Sequence, residues 1–139
     1  MHEFDTSYKD ARILVVDDLS GMRTILKTTL NNLGYPNITE ARNGNDALEK
    51  LKVESFELII SDWSMPTMTG IELLTQLQND TNLKKVPFLM MTAHSEKESV
   101  LQAISAGVVH YVIKPFSAET LQAKLEGILR KRWNAEHAR

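Results

Sequence analysis

The chain has 139 residues, 42% hydrophobic and 24% charged, with a net charge of −2 and no cysteine. That describes one ordinary globular domain, long enough to bury most of the surface its unfolded form exposes. The near-balanced charge excludes a general attraction to nucleic acid or anionic lipid, and the lack of cysteine excludes disulfide and thiolate chemistry. No stretch reaches the roughly 18 apolar residues of a membrane span, and the polar segment 1–10 is not signal-like, so a soluble cytoplasmic protein is expected.

Strand-like and helix-like segments alternate along the chain. The apolar run Ile13, Leu14, Val15, Val16 ends at Asp17 and Asp18. Ser20 is a suitable cap for a helix whose apolar positions Met22, Ile25, Leu26, Leu30 and Leu33 follow the helical period, with Gly34 as its stop. Pro36 and Asn37 turn the chain into a short strand over 38–41, and Asn43-Gly44 turns it out again. Ala47, Leu48 and Leu51 mark a second helix. Leu58, Ile59 and Ile60 then lead through Ser61 to Asp62, followed by a loop over 63–70 and a third helix carrying Ile71, Leu74 and Leu77. Val86-Pro87 opens the run Phe88, Leu89, Met90, Met91, which ends at Thr92. Ser95 and Glu98 match a capping box for a helix with Val100, Ala103 and Ile104 on one face and Gly107 at its end. Tyr111, Val112 and Ile113 run into Lys114-Pro115, and Ser117 caps a last helix with Leu121, Leu125 and Ile128 inward.

Apolar runs without strict alternation imply strands buried on both faces, hence a parallel sheet between helix layers: an α/β fold of (βα)5 type. Setting the first strand beside the third gives the order 2-1-3-4-5 and makes Asp17, Asp18 and Asp62 neighbours at a topological switch point, where ligands bind. All strands of such a sheet end on one rim, so Thr92 and Lys114 join the three carboxylates there.

At these residues the chain resembles a response-regulator receiver domain. The matching motifs are VVDD at 15–18, SDWSMP at 61–66, MTA at 91–93 and YVIKPF at 111–116, and the likeness spans about residues 12–129. Trp63 after the aspartate and Tyr111 three before the lysine point to the chemotaxis branch. The resemblance implies a flavodoxin-like three-layer sandwich, with residues 1–10 as a polar N-terminal extension, 11–130 as the receiver domain and 131–139 as a short charged tail. No fused output domain is expected, so output falls to binding in trans or to draining phosphate.

The chemistry of the residues agrees with that resemblance. Asp17-Asp18 alone reads as a strand end and capping turn, but three clustered carboxylates repel one another unless a cation sits among them. Asp18 is therefore expected to ligate Mg2+, with Asp17 helping to hold the ion. Asp62, a loop aspartate on the bland view, ends the most apolar strand; a carboxylate there can attack phosphorus and carry the phosphoryl group as an acyl phosphate. Lys114 can pair with a phosphoryl oxygen, and the Thr92 hydroxyl can donate to one rather than serve only as a strand residue.

Other roles are implied by the resemblance. The backbone carbonyl of Ser64 is the further metal ligand, and the Lys114–Pro115 bond is cis. Tyr111 turns inward as Thr92 moves toward the phosphoryl group. The fourth helix, fifth strand and fifth helix, with Lys97, Val100, Ile104, Tyr111 and Lys124, form a 4-5-5 face for the flagellar motor switch. Expected partners are a sensor histidine kinase as phosphodonor and that motor switch protein, with a phosphatase left open and the protein a monomer.

Four positions depart from the chemotaxis pattern: Ser64 for asparagine, His94 for glutamate, His110 for a small residue and Thr69 for aspartate. The first two border the route of water to the acyl phosphate and bear on phosphoryl lifetime. Two alternatives stand beside the motor switch. One is a receiver acting as a phosphate sink or regulating a non-motor partner. The other is a phosphohydrolase of the haloacid-dehalogenase type, which needs a second acid where this chain has Ser64. The expectation is accordingly a phospho-acceptor switch and not an enzyme, limited to Mg-dependent self-phosphorylation and slow self-dephosphorylation.

Overall fold

Five parallel strands, β1 (Ile13–Val16), β2 (Ile38–Ala41), β3 (Leu58–Asp62), β4 (Phe88–Thr92) and β5 (His110–Ile113), form one sheet in the order 2-1-3-4-5. The helices between and after them are α1 (Ser20–Asn32), α2 (Gly44–Val53), α3 (Gly70–Gln78), α4 (Lys97–Ser105) and α5 (Ala118–Glu136). These come from a computed structural model that describes residues 6–93 and 97–136. The architecture is the flavodoxin-like α/β sandwich expected from the alternating elements. None of the helices it describes is long and apolar enough to cross a membrane.

The side-chain alternation of the strands sorts the core into two layers. Leu14, Val16, Ile59 and Met90 face one way, onto Ala47, Leu51, Leu73, Leu74, Leu77 and Ala103 of α2, α3 and α4. Ile13, Val15, Leu58, Ile60, Leu89 and Met91 face the other, onto Leu26, Leu30, Leu121, Leu125 and Ile128 of α1 and α5. Both layers are apolar, which is why β1, β3 and β4 are buried at every residue. Each fully buried Leu or Ile contributes about 1.5–3 kcal/mol relative to exposure.

Several local expectations are corrected. Ser20 is the first residue of α1 and does not cap it; the preceding residue is Leu19, with no side-chain cap, and Asp17 Oδ1 accepts the Leu19 N–H instead. Ile25 is 61% exposed and Ile104 60% exposed, so neither faces the core, whereas Leu73 is fully buried. Among the described side chains of α4, Ala103 alone is deeply buried and Val100 is half-buried. The capping box at Ser95 and the departure at His94 lie outside the described residues.

Elsewhere Thr69 closes a full capping box with Glu72, Ser117 Oγ accepts the Thr120 N–H, and Gly34 and Gly107 take positive φ at the ends of their helices. The terminal segments are more structured than their polarity indicates. Ser7–Asp10 is a 3-10 turn with Tyr8 buried, Arg130 lies over the Tyr8 ring at 4.7 Å, and α5 runs on to Glu136 with Trp133 against the core.

Candidate functional site

Val16 is in register with Ser61 across β1 and β3, which sets the next residues, Asp17 and Asp62, side by side on the carboxyl rim. With Asp18 they offer one oxygen each, all within 4.8 Å of one another. Asp17 is wholly buried and Asp62 is 8% exposed, whereas Asp18 is open to solvent.

From the far side of the sheet, Lys114 reaches in from the end of β5. Its ammonium is 3.1 Å from Asp62 Oδ1 and 3.9 Å from Asp17 Oδ2. Asp62 Oδ1 also accepts the Trp63 N–H at 3.0 Å. Both of the carboxylate's hydrogen bonds to described residues thus fall on Oδ1. The Lys114 N–H donates to the Thr92 carbonyl at 2.7 Å, holding the ends of β4 and β5 together, and the Lys114–Pro115 bond is cis. Thr92 is 1% exposed at the end of β4.

The electrostatics leave a deficit of positive charge. Burial pushes the Asp17 carboxyl above its ordinary value of 3.8; the Leu19 N–H opposes this, the charges of Asp62 and Asp18 reinforce it, and Lys114 opposes it. Asp17 Oδ2 is buried with no hydrogen bond. Among the described residues, Lys114 pairs with two of the three carboxylates, and one buried carboxylate oxygen is left without a hydrogen bond. Hard, anionic oxygens in such a group suit Mg2+, which takes carboxylates and keeps several waters. The residues present fit that ion.

Backbone supports hold Asp62 from behind. Ser61 Oγ donates to the Asp62 carbonyl at 2.9 Å, and the Gly70 N–H donates to the Trp63 carbonyl at 2.8 Å. A Cβ on Gly70 would stand 2.5 Å from the Asp62 carbonyl oxygen, so only glycine lets α3 start so close. Ser64 is exposed in the loop two residues beyond Asp62.

Of the other expected residues, Tyr111 is half-buried against the α2–α4 core layer. It pairs with Met90, two residues before Thr92, so Thr92 and Tyr111 share one face of the sheet. Val100 and Ile104 stand on α4 and Lys124 on α5; α4 begins at Lys97, whose side chain lies outside the described part. One contributor escaped sequence reasoning. Arg23 of α1, its side chain 12% exposed, donates from Nη1 to the Asp17 carbonyl at 2.7 Å and from Nε to Glu40 at 3.1 Å. A signal for it existed, since a cation in the first turn of a helix opposes the macrodipole and needs a specific partner.

Residues 13–126 match the family model of the response regulator receiver domain. The chain belongs to that family. This receiver is 45% identical over 123 residues to the chemotaxis protein CheY-3 of Vibrio cholerae, covering 88% of this chain and 95% of that one. Among solved structures, the V. cholerae chemotaxis protein CheY4 superposes with a TM-score of 0.78 at 34% identity, covering 85% of the receiver and 98% of that chain. The receiver domain of a Pseudomonas aeruginosa sensor histidine kinase, described with a magnesium ion coordinated in its active-site cleft, gives a TM-score of 0.78 at 25% identity, covering 86% and 97%.

Proposed function

We propose that this receiver is a chemotaxis response regulator that takes a phosphoryl group on Asp62 from a sensor histidine kinase and thereby switches a 4-5-5 face toward the flagellar motor switch. The observation that carries the reading is the convergence of Asp17, Asp18, Asp62 and Lys114 on one rim, with an anionic excess and a buried, orphaned carboxylate oxygen. The similarity to chemotaxis proteins supports the choice of pathway.

In the transfer, an Asp62 oxygen attacks the phosphorus of a phosphohistidine. The P–O bond forms as the P–N bond breaks, and the imidazole leaves with the electron pair. With Oδ1 held by Trp63 and Lys114, Oδ2 is the oxygen turned to attack. Lys114 offsets charge on the transferred group as a point cation, and the Thr92 hydroxyl donates to a phosphoryl oxygen. Mg2+, held by Asp17, Asp18, Asp62 and the Ser64 carbonyl, would neutralise the remaining charge on that group. Tyr111, on the same face as Thr92, then reports the change by turning inward and reshaping the surface that includes Val100, Ile104 and Lys124. Beyond this acceptor role the protein performs only self-phosphorylation from small phosphodonors and slow self-dephosphorylation, because Ser64 stands where a hydrolase needs a second acid.

Incubation with Mg2+ and acetyl phosphate followed by intact-mass measurement tests the chemistry. A phosphate-sized gain that disappears in Asp62→Asn is expected; a gain that survives the substitution overturns Asp62 as acceptor. Binding of a motor-switch peptide with and without a phosphoryl mimic tests the output. Equal affinity in the two states would leave the phosphate-sink alternative.

A further inference from the structure

Arg23 and Glu40 lie outside the acidic cluster, yet Arg23 closes a hydrogen-bonded ring with Asp17 and Leu19. Asp17 Oδ1 accepts the Leu19 N–H at 2.9 Å, the Leu19 carbonyl accepts the Arg23 N–H at 3.1 Å, and Arg23 Nη1 donates back to the Asp17 carbonyl at 2.7 Å. Three hydrogen bonds thereby fix the backbone of the segment that carries both Asp17 and Asp18. The guanidinium itself is aimed by Glu40 of β2, 3.1 Å from Nε, and Glu40 is paired in register with Val15, two residues before Asp17. The Asp17 N–H also donates to the Ala41 carbonyl at 3.2 Å, so β2 holds this corner at two points.

We infer that Arg23, oriented by Glu40, is a positioning residue for the acidic pair, setting the aim of Asp17 and Asp18 and hence the affinity of the site for its divalent cation. The inference rests on the metal reading above and extends it to two residues that touch neither ion nor phosphoryl group. Charge alone cannot account for the placement. A guanidinium behind a cation site repels the cation, so if its charge were what mattered, removing it would tighten binding. Glu40 offsets that charge locally, leaving geometry as the contribution. Lysine retains the charge but carries one donor group in place of a planar fork, and cannot hold the Asp17 carbonyl and Glu40 together in this geometry. Residues that orient metal ligands from behind typically affect affinity by about 10–100-fold.

The test uses the full chain with Arg23→Lys, Glu40→Ala and Glu40→Gln, each checked for folding by circular dichroism. Mg2+ affinity is read from Trp63 fluorescence, and protection of the Leu19 amide is read by hydrogen exchange in EDTA. Arg23→Lys and Glu40→Ala are expected to weaken Mg2+ binding by about tenfold or more and to lower Leu19 protection. Glu40→Gln, which keeps an acceptor for Nε, recovers most of the affinity lost in Glu40→Ala. Parent-like Mg2+ affinity in Arg23→Lys and Glu40→Ala overturns the inference, whatever the Leu19 protection. If the parent itself binds no Mg2+ at millimolar concentration, the metal reading fails and this inference with it. Leu19 protection in EDTA still reports separately whether the ring holds the loop.

Discussion

Lys114 Nζ lies 3.1 Å from Oδ1 of Asp62, a contact across 52 residues of chain that joins the edge strand β5 to the central strand β3. The same ammonium is 3.9 Å from Asp17, which makes it the only cation within ion-pair distance of these two aspartates among the described residues. Its charge partly offsets the repulsion between these carboxylates. Two effects of removing it follow, and they have opposite signs.

Lys114→Ala leaves two adjacent buried carboxylates without their counter-charge. Stability in EDTA should fall by about 1–3 kcal/mol, the usual range for orphaning a partly buried charged partner. Mg2+ affinity should rise, because a competing cation has gone. Thermal melts with and without Mg2+ check both. A variant less stable in EDTA but with a smaller gain from Mg2+ than the parent would contradict this electrostatic account.

Asp17→Asn acts in the other direction. The Asp17 pKa is raised in the folded state by burial above all, so the fold favours the protonated group. Its contribution to stability is present below about the ordinary value of 3.8 and is lost as pH rises through the folded pKa; at neutral pH the ionised group is a net cost. Asparagine removes that charge and keeps an oxygen for the Leu19 N–H. In EDTA at pH 7 the variant should melt at a higher temperature than the parent. The difference should vanish as pH falls below 3.8. Mg2+ at ten times its Kd should stabilise the parent by about 1.4 kcal/mol and the variant not at all.

Gly70→Ala tests the backbone behind Asp62. The added Cβ meets the Asp62 carbonyl at 2.5 Å and Met90 Sδ at 2.7 Å. The carbonyl is not a flexible end that can swing aside, so α3 or the end of β3 has to shift, at about 1–3 kcal/mol. Because the displaced atom belongs to Asp62, the rate of phosphoryl loading should fall along with the melting temperature. A stable Gly70→Ala protein with parent-like loading would show that the contact is relieved elsewhere.

His110 supplies a pH dependence. Burial first, and then the charges of Lys124 and Lys131, lower its pKa from 6.5. Lys84 and Lys85, which line the same groove, add no acid to offset them. The unfolded chain therefore takes up this proton first as pH drops, and stability falls from about pH 6.5 downward until the folded protein is protonated too. His110→Gln should flatten this limb of the stability curve, by no more than about 1.36 kcal/mol per pH unit. An unchanged slope would assign the dependence to other groups.

Much of this was readable before any coordinates because the strands are short, apolar and buried on both faces. Ile13–Val16 and Phe88–Thr92 announce a parallel sheet, and chirality and close packing leave few ways to wind it. Once the order places β1 beside β3, Asp17 and Asp62 must meet. What resisted reading is set by contacts distant in sequence. Ile25 and Ile104 fit a helical period as well as any core residue, and only the width of the covering sheet turns them outward. Ser20 has the chemistry of a cap, but Asp17 reaches the same turn first. Arg23 gains its meaning from Glu40 and from a carbonyl six residues back, neither of which periodicity reveals.

The exposed end of α4 allows the output surface to be tested apart from the chemistry. Ile104 is 60% exposed and supports no core contact that its loss would break, so Ile104→Glu should change stability by no more than about 0.5 kcal/mol. Phosphoryl loading of Asp62 should also be unaltered, since Ile104 is exposed on α4 and is not one of the three clustered carboxylates. If this side chain anchors a motor-switch helix, a buried carboxylate at the interface should reduce the phosphorylated protein's affinity about tenfold or more. Val53→Glu is the matched control. Val53 is 81% exposed at the end of α2, and its replacement should leave peptide binding as it was. Tyr111→Ala then separates contact from switching: it should abolish the gain in affinity on phosphorylation while leaving the weak binding of the unphosphorylated protein. Peptide titrations of the three variants in both states check the set, and equal losses at Ile104 and Val53 would remove α4 from the output surface.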